Sequence, residues 1–232
     1  EKVSQRTQEL QAKNHELTLL NDKLIELNIE KNEFLGIAAH DLKNPLVAIL
    51  GLAEEIFTSF DDYDKAEIME YANMIKISTA QMFSLITNLL DVNAIESKKF
   101  NIVAQPVDML PILQKLVKLY TERALAKQIT MSLQSTESEY IALIDKNTTH
   151  QVLDNLISNA VKYSPFNAYV HIRISRQANC ISCEIQDQGP GLSAADQQKL
   201  FGKFSRLTAQ PTGGEHSTGL GLFIVKKLVE MM

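Results

Sequence analysis

Apolar residues recur at every seventh position from the start of the chain. Val3, Leu10, Leu17 and Leu24 form one series, and Leu20, Leu27 and Phe34 form its companion. Arg6 and Lys13 hold the earlier companion positions, so the seam is weak at first and firm from Leu17 onward. No Gly or Pro interrupts these first thirty-odd residues, and the heptad period predicts a parallel coiled coil. A single amphipathic helix on a globular domain is the second choice, because the stripe is narrow and the segment lacks caps. Helical periodicity continues through 34–45 to about Phe57, with Pro45 expected to bend the helix just after His40. Residues 59–64 read as a loop with helix-capping candidates. A second long helix follows, with Ile68, Tyr71, Ala72, Ile75, Met82, Ile86 and Leu89 on one stripe. One such hairpin cannot bury its stripe, whereas two can as a four-helix bundle. Heptads and hairpin therefore both predict a homodimer.

Beyond the hairpin the helical period breaks. Residues 98–106 read as a linker merging into a strand at 100–103. The pattern then predicts a helix over 109–127, strands at 129–134 and 140–144, and a helix over 147–163. Strands at 169–175 and 181–186, a helix starting near Ser193, a polar stretch over 207–218 and a last helix from Gly219 complete it. Strands interleaved with helices indicate a second domain, a sheet covered by helices.

Composition narrows the classes. With 232 residues, 45% hydrophobic and 22% charged, the chain suits folded domains rather than disorder. A net charge of -5 argues against nucleic acid as a partner. No apolar run approaches the roughly 20 residues of a membrane span, and no signal peptide opens the chain. A cytoplasmic chain without membrane contact of its own is expected. Glu1 at the start suggests a fragment, which leaves room for a membrane attachment upstream. Cys180 and Cys183 have metal-like spacing but no second pair to complete a zinc site. Three apart on a strand they face opposite ways, so packing is the expected role.

His40 lies on a helix beside Asp41, with Asn44 one turn on the same face and Pro45 next. A histidine near its ordinary pKa keeps a neutral, nucleophilic nitrogen at pH 7, and a flanking carboxylate takes up proton charge. By itself such a histidine reads as a surface residue, as do His15, His150, His171 and His216. On the 147–163 helix, Asn155, Asn159 and Lys162 share a polar stripe opposite Val152, Leu153, Leu156, Ile157 and Ala160. Amide oxygens suit Mg²⁺ and a lysine suits phosphate, although a solvated face is the common alternative. Asp187-Gln188-Gly189-Pro190-Gly191 allows a tight turn with an acceptor for an exocyclic amine. Ser217-Thr218-Gly219-Leu220-Gly221 opens a helix, where free amides and the dipole favour an anion.

The segment Phe34-Leu-Gly-Ile-Ala-Ala-His40-Asp41-Leu-Lys-Asn44-Pro45-Leu46 resembles the H-box of sensor histidine kinases. In family order, the Asn155/Asn159 helix, Asp187-x-Gly189-x-Gly191, Leu200-Phe201-Gly202-Lys203-Phe204 and Gly219-Leu220-Gly221 resemble the N, G1, F and G2 boxes of the GHKL-type ATP-binding domain. The resemblance covers residues 34–232. It implies His40 as phosphoacceptor, Asp41 as general base, and Asn44 as the residue tied to dephosphorylation of a partner. It implies Asn159 as Mg²⁺ ligand with Asn155 assisting, Lys162 at phosphate, Tyr163 against the nucleotide and Asp187 on adenine. Gly189, Gly191, Gly219, Leu220 and Gly221 would shape the pocket, Ser217 and Thr218 would lie near the phosphates, and Lys203 and Arg206 are weaker charge contacts. Residues 207–218 would be a mobile ATP lid.

The implied architecture is multidomain: a coiled-coil helix over 1–33, a dimerising phosphotransfer hairpin over 34–98 and a Bergerat-type α/β sandwich over 99–232. The family's domain continues with two more strands, so this one is expected to be C-terminally truncated and to lack its last strands. The implied activity is ATP-dependent autophosphorylation of His40 and transfer to an aspartate on a response regulator receiver domain. A related ATPase of the same superfamily would explain the nucleotide boxes but not the hairpin. A scaffold that dimerises without using ATP is the third possibility.

Overall fold

A computed structural model describes residues 2–97, 99–178, 180–205, 207–215 and 217–232. It divides into two units within the second helix, between Thr79 and Ala80. In the first unit, α1 (Lys2–Thr58) is one continuous helix that runs through Pro45. Without an amide hydrogen, Pro45 cannot donate to the carbonyl of Asp41, but it does not end the helix. A short 3-10 turn (Phe60–Asp62) leads into α2 (Lys65–Glu96). Asp64 starts α2 as a reciprocal cap. Its Oδ1 accepts from the amides of Ala66 (2.7 Å) and Glu67 (2.9 Å), and Glu67 Oε2 accepts from the Asp64 amide (2.9 Å). The heptad leucines Leu10, Leu17 and Leu24 are all exposed in the single chain.

The second unit holds the rest of α2 and the mixed domain. The strand expected at 100–103 does not form. Instead β1 is Gln105–Asp108, five residues on and with Pro106 inside it. Proline is tolerated because β1 has a single partner, β3 (Ile141–Ile144), paired antiparallel with Asp108 opposite Ile141. The helix expected over 109–127 ends earlier: α3 (Met109–Ala124) passes into a 3-10 turn (Leu125–Lys127). The second sheet runs β2 (Thr130–Ser135), β4 (Tyr169–Gln177), β5 (Cys180–Gln186), with β2 parallel and β5 antiparallel to β4.

Central strand β4 alternates as a half-buried strand should, with Val170, Ile172 and Ile174 inward. Onto them pack Leu113, Leu116 and Tyr120 of α3 and Leu153, Ile157 and Ala160 of α4 (Lys146–Tyr163). Asp145 caps α4, its carboxylate accepting from Thr148 N (2.9 Å) and from Val103 N (3.0 Å). These amide donors hold the Asp145 carboxyl below the ordinary aspartate range. The unit ends with a short α5 (Ala194–Lys199) and α6 (Gly221–Met231), which starts two residues later than the sequence suggests. Ile224 and Leu228 of α6 are fully buried. Cys183 packs against the core while Cys180 is exposed, as the strand alternation requires, and burial pushes the Cys183 thiol up to about 11.

Candidate functional site

Two clusters carry chemistry, one in each unit. In the first, the His40 side chain is 68% exposed and Asp41 is buried. His40 Nδ1 lies 3.2 Å from Asp41 Oδ1 and 3.5 Å from Asn44 Nδ2. Asp41 asks this nitrogen for a hydrogen and Asn44 offers one, so the two contacts require opposite tautomers. The carboxylate contact is shorter and charge-assisted, which favours Nδ1–H. That choice leaves the lone pair on Nε2.

In the second unit the N-terminal end of α6 meets α4. Asn155 Nδ2 donates to the Gln151 carbonyl (3.1 Å), which fixes the amide and frees Oδ1. A Cβ placed on Gly221 would stand 3.0 Å from that Oδ1, so glycine permits the approach. Asn159, one turn on, is half-buried, and its amide has no hydrogen-bond partner among the described residues. Mg²⁺ keeps several waters and takes few protein ligands, so a free amide oxygen beside the fixed one fits it.

Lys162 is half-buried; burial lowers its ammonium pKa, while Glu215 and Asp154 oppose the fall. The Tyr163 hydroxyl donates to Ser217 Oγ (3.0 Å). The Tyr163 carbonyl faces Gly189, whose Cβ would stand 3.0 Å from it and 2.8 Å from Asp187 Oδ1. Asp187 is exposed; its Oδ1 accepts from Gly189 N (2.7 Å), leaving Oδ2 as an acceptor. Gly191 has φ +71° and Gly219 φ +67°, and a Cβ on Gly219 would come within 2.7 Å of the Phe204 backbone. Leu220 is fully buried and caps α6. The first bond of α6 runs from Ile224 N to Leu220 O (2.9 Å), so the amides before it open the helix without intrahelical acceptors.

The fold thus joins Asn155 to Gly221, Tyr163 to Ser217 and Gly189, and Gly219 to Phe204. Lys203 is placed differently. It pairs with Glu96 of α2, with its ammonium 5.6 Å from the Phe223 ring centroid. Arg206 and His216 lie outside the described residues. Sequence reasoning missed the polar edge of α2. Asn88 Nδ2 donates to Thr218 Oγ1 (3.4 Å), and Asp91 Oδ2 accepts from Gln151 Nε2 (2.6 Å). Burial raises the Asp91 pKa and the Gln151 bond works against it.

It also missed Lys127, Thr212 and Glu215. Lys127 is buried and bonded to the end of α4 and to Glu215. Thr208 is tied to Asp196 through its amide and hydroxyl, both at 3.2 Å. In the stretch expected to be a mobile lid, Thr208, Thr212 and Glu215 thus hydrogen-bond to Asp196, to the end of α4 and to Lys127. No local signal marks these residues, because their partners are distant in sequence.

Residues 30–98 match the family model of the His Kinase A (phospho-acceptor) domain, and 144–232 match that of the histidine kinase-, DNA gyrase B- and HSP90-like ATPases. Sensor protein EvgS of Escherichia coli O157:H7 is 32% identical over 227 residues, covering 94% of this chain and 18% of EvgS. Sensor histidine kinase GacS of Pseudomonas protegens is 31% identical over 245 residues, covering all of this chain and 26% of GacS. The chain thus spans about a fifth to a quarter of these curated relatives. Among solved structures, Acinetobacter baumannii histidine kinase AdeS aligns with TM-score 0.62 at 22% identity, over 83% of this chain and 87% of that one. Histidine kinase ThkA in complex with response regulator protein TrrA aligns with TM-score 0.60 at 20% identity, over 77% and 51%. With a phospho-acceptor match over its helices, an ATPase match over its mixed domain and sensor kinases alike along nearly its whole length, the chain belongs to the sensor histidine kinase family.

Proposed function

We propose that this chain is the kinase core of a two-component sensor, which binds Mg²⁺-ATP, phosphorylates itself on His40 and passes the phosphoryl group to an aspartate of a response regulator. The domains proposed are a signalling helix over 1–33, a phosphotransfer hairpin over 34–98 and a catalytic domain over 99–232. The observation that carries the reading is His40 itself: an exposed imidazole whose Nδ1 is held by the buried Asp41.

In the reaction the Nε2 lone pair forms the bond to the γ-phosphorus, and the bond to the β-γ bridging oxygen breaks to release ADP. As the ring gains positive charge, Asp41 stabilises the Nδ1 proton and accepts it. Such transfers depend chiefly on positioning and on neutralising oxygen charge. Lys162, Ser217, Thr218 and the opening amides of α6 meet the phosphates; Tyr163 and Asp187 meet the base. Bound Mg²⁺, held by Asn159 with Asn155 beside it, would neutralise phosphate charge. Asn44, one turn from His40, would orient a water in a separate reaction, hydrolysis of the partner's phosphoaspartate to free aspartate and inorganic phosphate.

The proposed assembly is a homodimer. The first unit leaves Leu46, Leu50, Phe57 and Phe60 more than half exposed, and Ala53, Ile56, Phe57, Phe60 and Ile75 line an open apolar groove of about 510 Å³. A second copy would cover this surface. No described helix is long and apolar enough to cross a membrane. The kinase core is proposed to work in the cytoplasm. ShkA in complex with AMPPNP and ThkA in complex with TrrA carry the two kinds of partner this reading assigns.

The test is incubation with γ-labelled ATP and Mg²⁺, comparing the parent chain with His40→Gln. Acid-labile label on the parent and none on the variant is expected; label that survives His40→Gln contradicts the assignment. Free phosphate with no labelled protein would favour a plain ATPase instead.

A further inference from the structure

Lys127 ends the turn after α3, where a lysine would ordinarily reach solvent, yet it is only 5% exposed. Its ammonium donates to Val161 O (2.9 Å), Lys162 O (2.9 Å) and Glu215 Oε1 (3.0 Å). These acceptors use all three of its N–H groups. Two are carbonyls left over in the last turn of α4, where the helix dipole also favours a cation. The third is a carboxylate on the 207–218 segment. That segment makes a second attachment at the same place: Thr212 donates its amide to Lys162 O (3.0 Å) and its hydroxyl to Ser164 O. The end of α4 is therefore capped by Lys127 and by the stretch 212–215 together.

Glu215 acts on two lysines. It bonds Lys127, and its field also reaches the Lys162 ammonium. Burial tends to raise the Glu215 pKa, but the Lys127 bond and the amides of Glu215 and Gly213 outweigh it and bring the value below the ordinary range. Glu215 is thus ionised at neutral pH and needs a cation. Without Lys127 the charge of Glu215 would still act on Lys162, whose ammonium already feels it. A carboxylate on Lys162 would cancel its charge and repel a polyphosphate.

We propose that Lys127 is a positioning residue for the nucleotide: it staples residues 212–215 to the end of α4 and keeps Glu215 away from Lys162, so that Lys162 stays available to phosphate. The inference rests on the reading of Lys162 as a phosphate contact.

Lys127→Met, Glu215→Gln and the double variant test it, with calorimetric titration of Mg²⁺-AMPPNP and amide hydrogen exchange at Thr212 and Gly213. Lys127→Met should weaken AMPPNP binding about tenfold or more, the effect of one misplaced charge, and speed exchange at both amides. Adding Glu215→Gln should recover most of the affinity while the thermal midpoint stays low. A purely structural role would tie affinity to the midpoint and show no recovery. The proposal is overturned if Lys127→Met binds like the parent, or if the double variant binds no better than Lys127→Met. Should Lys127→Met not fold, Glu215→Gln alone decides: binding at least as tight as the parent supports the proposal, and about tenfold weaker binding overturns it. A parent chain that binds no AMPPNP refutes the Lys162 reading separately. In that case exchange judges the staple, faster at Thr212 and Gly213 in Lys127→Met if it exists and unchanged if it does not.

Discussion

Replacing Gly219 by alanine isolates one geometric demand of the nucleotide domain. Gly219 has φ +67°, and an added Cβ would meet Phe204 C at 2.7 Å, Phe204 Cα at 2.9 Å and Ser205 N at 3.0 Å. All three are backbone atoms. Phe204 is buried and itself at φ +51°, so the segment is poorly placed to move aside. The left-handed backbone costs about 1–2 kcal/mol for alanine. Overpacking against a fixed neighbour adds roughly 1–3 kcal/mol. The sum, about 2–5 kcal/mol, is a large share of the 5–15 kcal/mol typical of a domain. At about 2–4 °C per kcal/mol for this size range, the midpoint should fall by roughly 10 °C. Gly191 is the control, because its φ is +71° but an added Cβ meets nothing within 4 Å. Gly191→Ala should therefore show the backbone cost alone, a fall of about 4 °C. Circular dichroism melts of both variants give the comparison. If Gly219→Ala melts within about 2 °C of Gly191→Ala, the steric argument fails.

Other consequences follow from single contacts. Asp145→Ala removes the cap of α4 and the bond to Val103, and should cost about 1 kcal/mol or somewhat more in urea unfolding at pH 7. The Asp145 pKa is depressed, so its contribution is present above the unfolded value of about 3.9 and is lost as pH falls through the lower folded value. The gap between parent and Asp145→Ala should therefore narrow below that pH; a constant gap contradicts the assignment. Ser164 Oγ is fully buried with no hydrogen-bond partner among the described residues, so Ser164→Ala should stabilise by about 1 kcal/mol, and a lower midpoint would speak against it. Iodoacetamide at pH 8 should alkylate exposed Cys180 and spare Cys183, whose thiol burial holds near 11; equal rates by peptide mass analysis would refute that burial.

The long-period patterns were readable in the sequence because they depend on near neighbours. The α1 and α2 helices, the alternation of β4 and the polar stripe of α4 all follow from spacing alone. The first strand was not, since alternation at 100–103 mimics a strand while the ladder is set by Ile141–Ile144 some forty residues away. Pro106 reads as a terminator but is accommodated in a strand with a single partner. Among site candidates, Asn155, Tyr163, Gly189, Gly219 and Gly221 come together because their elements pack directly. Lys203 was read by its charge, and Glu96 takes that charge. Lys127 stood in the sequence only as the end of the helix expected over 109–127. Its burial is explained only by the carbonyls of Val161 and Lys162 and by Glu215, 34 to 88 positions away.

The central claim is that phosphoryl transfer occurs at Nε2 of His40, with Nδ1 held by Asp41. It is tested most directly by phosphorylating the chain with Mg²⁺-ATP, then locating the phosphate by tandem mass spectrometry and by ³¹P and ¹H NMR at alkaline pH. The account predicts a single phosphohistidine at position 40, substituted on Nε2. Phosphate on Nδ1 of His40, or on any other residue, would contradict it.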